Sequence, residues 1–432
     1  MNPQPLNPQP SHIVHIDFDV RQERLLGTGH RLTALLDETS VAALPRHTRE
    51  RFARIGALHV EPGTPYDAYD AAFEQMTGYV DEFSAELGPP SAVVGLSEAA
   101  VMPAARLREH LGLPGMRPRE AELIRDKIRM KEAVRAAGVD VPRFQPAGPD
   151  MSAEQAERAV ALMPDGIVLK PTSQCVSVGV RVFRDPSEFV SHVRDEGIGA
   201  DHEIEEFLTG DLCHVDGLVR GGRLLFFSAA TYLAPLHDVL NKGGLPLGSV
   251  SIEDRAQLGA IEKVTTTVLD AVKLEDGVFH LELFIRPDGR LTFLEIAGRP
   301  AGGGIPDAIR HAYGIDLVQE AVRICLGEAP CYDGPRTMLD SGTAASGWLW
   351  VLAPGEGDLK ALRVEGSDRL PASVVESTVP RAGDVLAASD DRLAGTFAFI
   401  GDSAESVAAD IQKVWTTYSV TYGPHDQQRP GT

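Results

Sequence analysis

The stretch His280-Leu-Glu-Leu-Phe-Ile-Arg-Pro-Asp-Gly-Arg-Leu-Thr-Phe-Leu-Glu-Ile296 decides how the chain is read. Two alternating apolar–polar runs flank Asp288-Gly289, a strong β-hairpin signal. With Asp288 and Gly289 as a two-residue turn, Arg286 faces Leu291, Phe284 faces Phe293 and Glu282 faces Glu295. The two glutamates then become direct cross-strand neighbours, with Cβ atoms about 5 Å apart. Like charges so placed repel. Two arrangements offset this: a divalent cation bridging both carboxylates, or a solvated sheet face that screens them. A three-residue turn would shift the register by one and separate the pair.

The residues that follow favour the cation. Ala297-Gly-Arg-Pro-Ala-Gly-Gly-Gly304 sets Arg299 among glycines, Gly302, Gly303 and Gly304 included, ahead of an apparent helix. Glycine lets a backbone approach a ligand closely, helix N-termini favour anions, and arginine binds phosphate or carboxylate in a bidentate way. Alone, the segment reads as a Gly-rich turn with a surface arginine. Four residues from a metal-type carboxylate, it reads as an anion site.

Upstream, a helix is expected over about 122–137, with Leu123, Met130, Val134 and Ala137 on one face. Lys127 shares that face, where a lysine must snorkel or meet an anion. A helix over 152–162 and strands at 166–170, 178–183 and 203–208 make a small, lid-sized block. Before it, strand-like 12–18 and 91–96 alternate with a helix over 98–111, which suggests an open α/β layer. After the hairpin, residues 328–342 are rich in Pro, Gly and Asp, and the last hundred residues carry short strands and a helix over 403–415.

The expected organisation is therefore α/β (α+β). A flexible tail (1–11) precedes an N-terminal α/β domain (12–119), a lid (120–206), a catalytic antiparallel-sheet subdomain (207–329) and a C-terminal β-rich subdomain (330–432). The Pro-rich start has neither the basic nor the apolar region of a signal peptide.

The 432 residues are 43% hydrophobic and 24% charged, as in an ordinary soluble protein. Forty-one basic against 62 acidic residues give a net charge of −21, which argues against nucleic-acid or anionic-membrane partners. No apolar run approaches the ~20 residues of a membrane helix. The four cysteines form no CxxC, and a reduced, cytoplasmic protein is expected.

Five segments in order resemble the ATP-grasp superfamily of carboxylate–amine ligases. They are Ser91 to Gly115; Arg125-Asp-Lys-Ile-Arg-Met-Lys-Glu132 with Ala137-Gly138 and Val141-Pro142; Val168-Leu-Lys-Pro171 with Ser177 and Gly179; Glu205-Glu-Phe-Leu208 with Gly210; and His280-Leu-Glu282 and Leu294-Glu295 with Arg299. The resemblance implies ATP and Mg²⁺ as cofactors, with Mn²⁺ as a substitute. It implies that Lys127 and Lys170 contact phosphates beneath a lid hairpin that includes Ser177. Glu205 accepts from the adenine amino group, and the Glu206–Phe207–Leu208 backbone completes the adenine edge. Asp211 stands in for a ribose-binding acid usually found at Leu212. Glu282 and Glu295 hold the metal, and Arg299 binds the transferring phosphate. Two departures stand out. Ala297 occupies a position often held by a metal-binding asparagine, and the phosphate loop 172–178 has no glycine.

Glu-Ile-Ala-Gly-Arg-Pro and the loose likeness of the last hundred residues resemble the L-amino acid ligase branch, which joins amino acids through an acyl phosphate. The expected partners are small carboxylate and amine substrates, and family members are often homodimers. Substrate choice is expected in the loop 232–244 and around Gly302–Ile305. His237 is a candidate base or a surface histidine; His280 lies beside the metal pair or in the pocket wall; Arg310 and His311 reach a substrate carboxylate or line an exposed helix. The rival readings are an ATP-grasp ligase using an unusual amine or acid, and a degenerate ATP-binding protein.

Overall fold

In the computed structural model the described residues are 11–18, 22–23, 29–60, 68–175, 177–332, 345–355, 357–386 and 392–424. The Pro-rich start and most of the 328–342 stretch lie outside them.

Strands Arg54–Leu58, Arg31–Asp37, His12–Ile16 and Pro90–Val94 form, in that order, a parallel sheet. Every residue of His12–Ile16 is buried, as a strand covered on both faces should be. The helix Val101–Leu111 closes with Gly112 in the left-handed region.

The single helix expected over 122–137 is two helices, Pro118–Arg125 and Lys127–Ala136. Asp126 between them is extended, and its carboxylate accepts from the Ile128 and Arg129 N–H groups. This cap satisfies donors that a helix start leaves open, so two short helices replace one long one. Lys127 thereby sits on the first turn of a helix rather than in the middle of an apolar face.

The lid is an antiparallel sheet of Phe144–Ala147, His202–Glu206, Ile167–Pro171 and Arg181–Phe183. Helices Ala153–Leu162 and Pro186–Asp195 pack on it around Met163, Ile167, Leu169, Phe189 and Ile204.

The central sheet has eight strands in the order Leu291–Ala297, Gly277–Ile285, Asp211–Arg220, Arg223–Tyr232, Leu247–Ser251, Ala345–Leu352, Leu393–Gly401 and Val374–Thr378. One face buries Val215, Phe227, Phe279, Leu281 and Phe293 against Ile261 and Val268 of helix Arg255–Ala271. Three of these strands come from the C-terminal block, which thus extends the catalytic sheet instead of standing apart. Leu359–Glu365, Val385–Leu386 and Ser419–Pro424 form a small separate sheet. All four cysteines are free thiols. No helix among the described residues is long and apolar enough to cross a membrane.

Candidate active site

The hairpin reaches the expected glutamate pair by an unexpected route. Its loop has three residues, Pro287-Asp288-Gly289, closed by Gly289 N–H to the Arg286 carbonyl and Arg286 N–H to the Arg290 carbonyl, both 2.8 Å. Gly289 has φ +82°, the left-handed position such a loop needs. Near the turn the register therefore departs from expectation: Ile285 faces Leu291, Phe284 faces Thr292 and Leu283 faces Phe293. A β-bulge then inserts Leu294, and beyond it Glu282 faces Glu295, Leu281 faces Ile296 and His280 faces Ala297. Two one-residue shifts cancel, and the carboxylates meet.

The row continues inward, where Glu282 also neighbours His214 on strand Asp211–Arg220. Tyr232 donates its hydroxyl to Glu282 Oε1 at 3.1 Å, and Lys127 Nζ lies 3.5 Å from Glu295 Oε2. Burial would raise the Glu295 pKa, but Lys127 and Lys170 hold it below the usual carboxylate range. Behind the pair, Asp216 accepts from His280 Nδ1 at 2.8 Å and from His214 Nδ1 at 2.6 Å. Burial opposes the Asp216 charge, yet the two imidazoles hold its pKa down to about 2. In turn Asp216 and Glu282 outweigh burial and push His280 up to about 10. Two hard oxygen donors facing each other, with cations and a phenol offsetting their charge, fit a divalent ion such as Mg²⁺.

Lys127 Nζ also donates to the Gln174 carbonyl at 2.5 Å, and its N–H donates to the Thr172 carbonyl at 3.1 Å, so the loop around 172–175 is docked on this lysine. Where glycine was missing, Ser177 takes the left-handed conformation (φ +55°) shortly before Gly179 (φ +72°).

Within the lid, Lys170 Nζ lies 2.9 Å from Glu205 Oε2 and 3.8 Å from Glu203 Oε1. Lys131, fully buried, bonds Glu203 Oε1 at 2.6 Å and Glu205 Oε1. The Glu205 carboxylate is thus held by two ammonium groups. Burial opposes its charge, but Lys131 and Lys170 hold its pKa well below the usual range. Burial and the adjacent Glu205 push Glu203 up to about 7. Glu206 ties the strand to Arg143, accepting from its N–H at 3.0 Å, and Phe207 N–H donates to the Gly166 carbonyl at 2.9 Å. Leu208 is buried beside them, and Asp211 is exposed at the next strand's start.

Arg299 is half-buried and fixed by a residue from far earlier in the chain. Its Nε donates to Glu98 Oε2 at 2.5 Å and its Nη1 to the Pro300 carbonyl at 2.9 Å, while Arg125 holds the other oxygen of Glu98. Burial would raise the Glu98 pKa, but Arg299 and Arg125 bring it down to about 2.

The glycines after Arg299 divide. A Cβ on Gly303 or Gly304 would stand 2.9 Å or 2.8 Å from atoms of Trp348, whereas one on Gly302 meets nothing within 4 Å. Packing against Trp348 explains the first two, so ligand approach is left to Gly302. His237, on helix Leu236–Lys242, has Asp238 as its partner at 3.4 Å, and no described contact joins it to Arg299 or the carboxylates. Arg310 and His311 both bond Glu376 at 2.6 Å, which joins their helix to the C-terminal block.

Sequence reasoning missed Glu98, Lys131, Glu203, His214, Asp216 and Tyr232. The signal was partly there: Glu203/Glu205 and His214/Asp216 repeat at the strand period, polar residues on one face of otherwise apolar runs.

A small sheet with buried lysines and a larger one bearing opposed glutamates near a clamped arginine are the features to compare. Residues 163–307 match the model of the ATP-grasp domain. Its fold is similar to that of an L-amino acid ligase from Bacillus licheniformis, with a TM-score of 0.71 at 18% identity over 96% of this chain and 100% of that one. In sequence it is 24% identical to the L-arginine-specific L-amino acid ligase of Bacillus subtilis over 57% of this chain and 60% of that protein. It is 25% identical to the alanine–anticapsin ligase of Bacillus subtilis strain 168 over 71% of this chain and 68% of that protein. The match spans 53% and 60% of the length of two of the curated relatives.

Proposed function

We propose that the protein is an ATP-dependent carboxylate–amine ligase that joins two amino acids through an acyl phosphate and releases ADP and phosphate. The observation that carries this reading is the convergence of Lys127, Lys170 and an arginine pre-oriented by Glu98 on the facing pair Glu282 and Glu295. The likeness to amino acid ligases supports it.

Phosphoryl transfer asks a protein for positioned charge more than covalent chemistry. In the first step a substrate carboxylate oxygen bonds to the γ-phosphorus of ATP, and the bond to ADP breaks. Lys127 and Lys170 position the phosphates, and Arg299, with one edge clamped by Glu98, offers its remaining N–H donors to the moving phosphoryl group. In the second step the amine nitrogen bonds to the acyl carbon, and phosphate leaves. Glu282 and Glu295 would hold a divalent ion, which would supply charge neutralisation at the phosphates. The lid shields the acyl phosphate from water. The backbone of Glu206 and Leu208 serves the adenine edge, and the four free thiols suit a reducing, cytoplasmic setting.

The test is Mg²⁺-dependent ADP release against single amino acids and pairs, with Glu295→Ala as control. The matrix includes non-proteinogenic amino acids, since one relative is an alanine–anticapsin ligase. Release confined to particular pairs and lost in the control supports the reading. ADP released with one acid alone, and no coupled product with any amine, refutes it.

A further inference from the structure

His280 has no task in the steps above, and its surroundings assign it one. The fully buried Asp216 carboxylate accepts from His280 Nδ1 at Oδ1, 2.8 Å away. Its other nitrogen, Nε2, faces Glu282 Oε1 at 3.6 Å. His280 and Glu282 share one strand face, and the cross-strand neighbour of His280 is Ala297, which offers no competing donor. Atoms that bind one ion at about 2.0–2.2 Å stand roughly 3–4 Å from each other. A carboxylate behind the imidazole fixes ring and tautomer, as it does behind metal-bound histidines. His214 provides the contrast. His214, Asp216 and His280 present ligand-type atoms within 4.8 Å of one another, but His214 spends Nδ1 on Asp216 and Nε2 on Ser249 Oγ at 2.8 Å. Of the two imidazoles, His280 directs a nitrogen at Glu282 of the carboxylate pair.

We propose that His280 Nε2 is a third protein ligand, beside Glu282 and Glu295, to the divalent cation, and that this nitrogen shifts preference from Mg²⁺ toward a first-row transition ion such as Mn²⁺. The proposal rests on the ligase reading in that the ion is the one shared with the nucleotide. Mg²⁺ is held mainly by oxygen and water, whereas an imidazole adds affinity along the transition series. The ion replaces the Nε2 proton, which leaves to solvent.

Mn²⁺ itself is the probe, with the full-length protein labelled with [¹⁵N]histidine and examined by pulsed electron paramagnetic resonance with ATP but no substrate. The expected spectrum shows histidine ¹⁵N coupling to bound Mn²⁺, lost in His280→Gln and kept in His214→Gln. A Mn²⁺ titration is expected to show binding about 10- to 100-fold weaker in His280→Gln. Bound Mn²⁺ without histidine coupling, coupling that survives in His280→Gln, or no bound Mn²⁺ would each overturn the proposal. ADP release with amino acids is measured separately. Its failure beside intact histidine coupling would refute the ligase reading alone.

Discussion

Replacing Lys131 by methionine tests the buried network that supports the lid lysine. Lys131 lies fully buried, 2.6 Å from Glu203 and in contact with Glu205, and Lys170 is the other cation bonded to these carboxylates. Burial and Glu205 keep Glu203 protonated up to about pH 7. Below that pH the network carries a surplus positive charge. Methionine removes it at nearly constant volume, so the cost is small, within about 1 kcal/mol. Above that pH the wild-type Glu203 ionises against Lys131. In the variant it lacks this partner and stays protonated, while the unfolded chain ionises near the ordinary value. The folded variant then holds one more proton than the folded wild type. Its relative stability falls as pH rises above about 7, by at most about 1.4 kcal/mol per pH unit and only while Lys131, whose pKa burial lowers, keeps its proton. Urea unfolding without nucleotide at pH 6 and pH 9 measures this. In a Glu203→Gln background the pH dependence of the Lys131→Met effect should vanish. An equal cost at both pH values, or a dependence that survives in that background, refutes the reasoning.

Three further outcomes are expected. Glu282→Ala and Glu295→Ala each abolish Mg²⁺-dependent ADP release, while the melting temperature without ligand is unchanged or raised, because facing like charges repel. Glu98, held down to about 2, adds about 3 kcal/mol at neutral pH that is lost as pH falls from the ordinary carboxylate range through its folded value. Glu98→Gln therefore flattens the acid limb of a circular-dichroism pH titration and, by loosening Arg299, lowers kcat about 10- to 100-fold. Gly303→Ala, with φ +65° and Trp348 at 2.9 Å, costs about 1–3 kcal/mol by calorimetry, whereas Gly302→Ala leaves stability near the wild type.

Much of the architecture was legible in local pattern. Alternation around Asp288-Gly289 specified a hairpin, the order of short motifs resembled the ATP-grasp pattern whose domain model matches residues 163–307, and periodicity placed the strands of the small sheet. Those signals are local: a turn residue or a two-residue repeat acts through its immediate neighbours. The break at Asp126 was also written locally, as a carboxylate able to cap the next helix, although the apolar period ran through it.

What only the tertiary structure decided is which charges meet. Glu282 and Glu295 face each other because a three-residue loop and the bulge at Leu294 cancel, and no sequence pattern announces a bulge that packing selects. Glu98 reaches Arg299 across 201 residues, and Lys131 reaches Glu203 and Glu205 across 72 and 74. The sequence by itself determined the kinds of side chain available and the elements that carry them. Their pairing, and with it the task of each charge, follows from burial, where an ionised group must find its partner wherever the chain brings one.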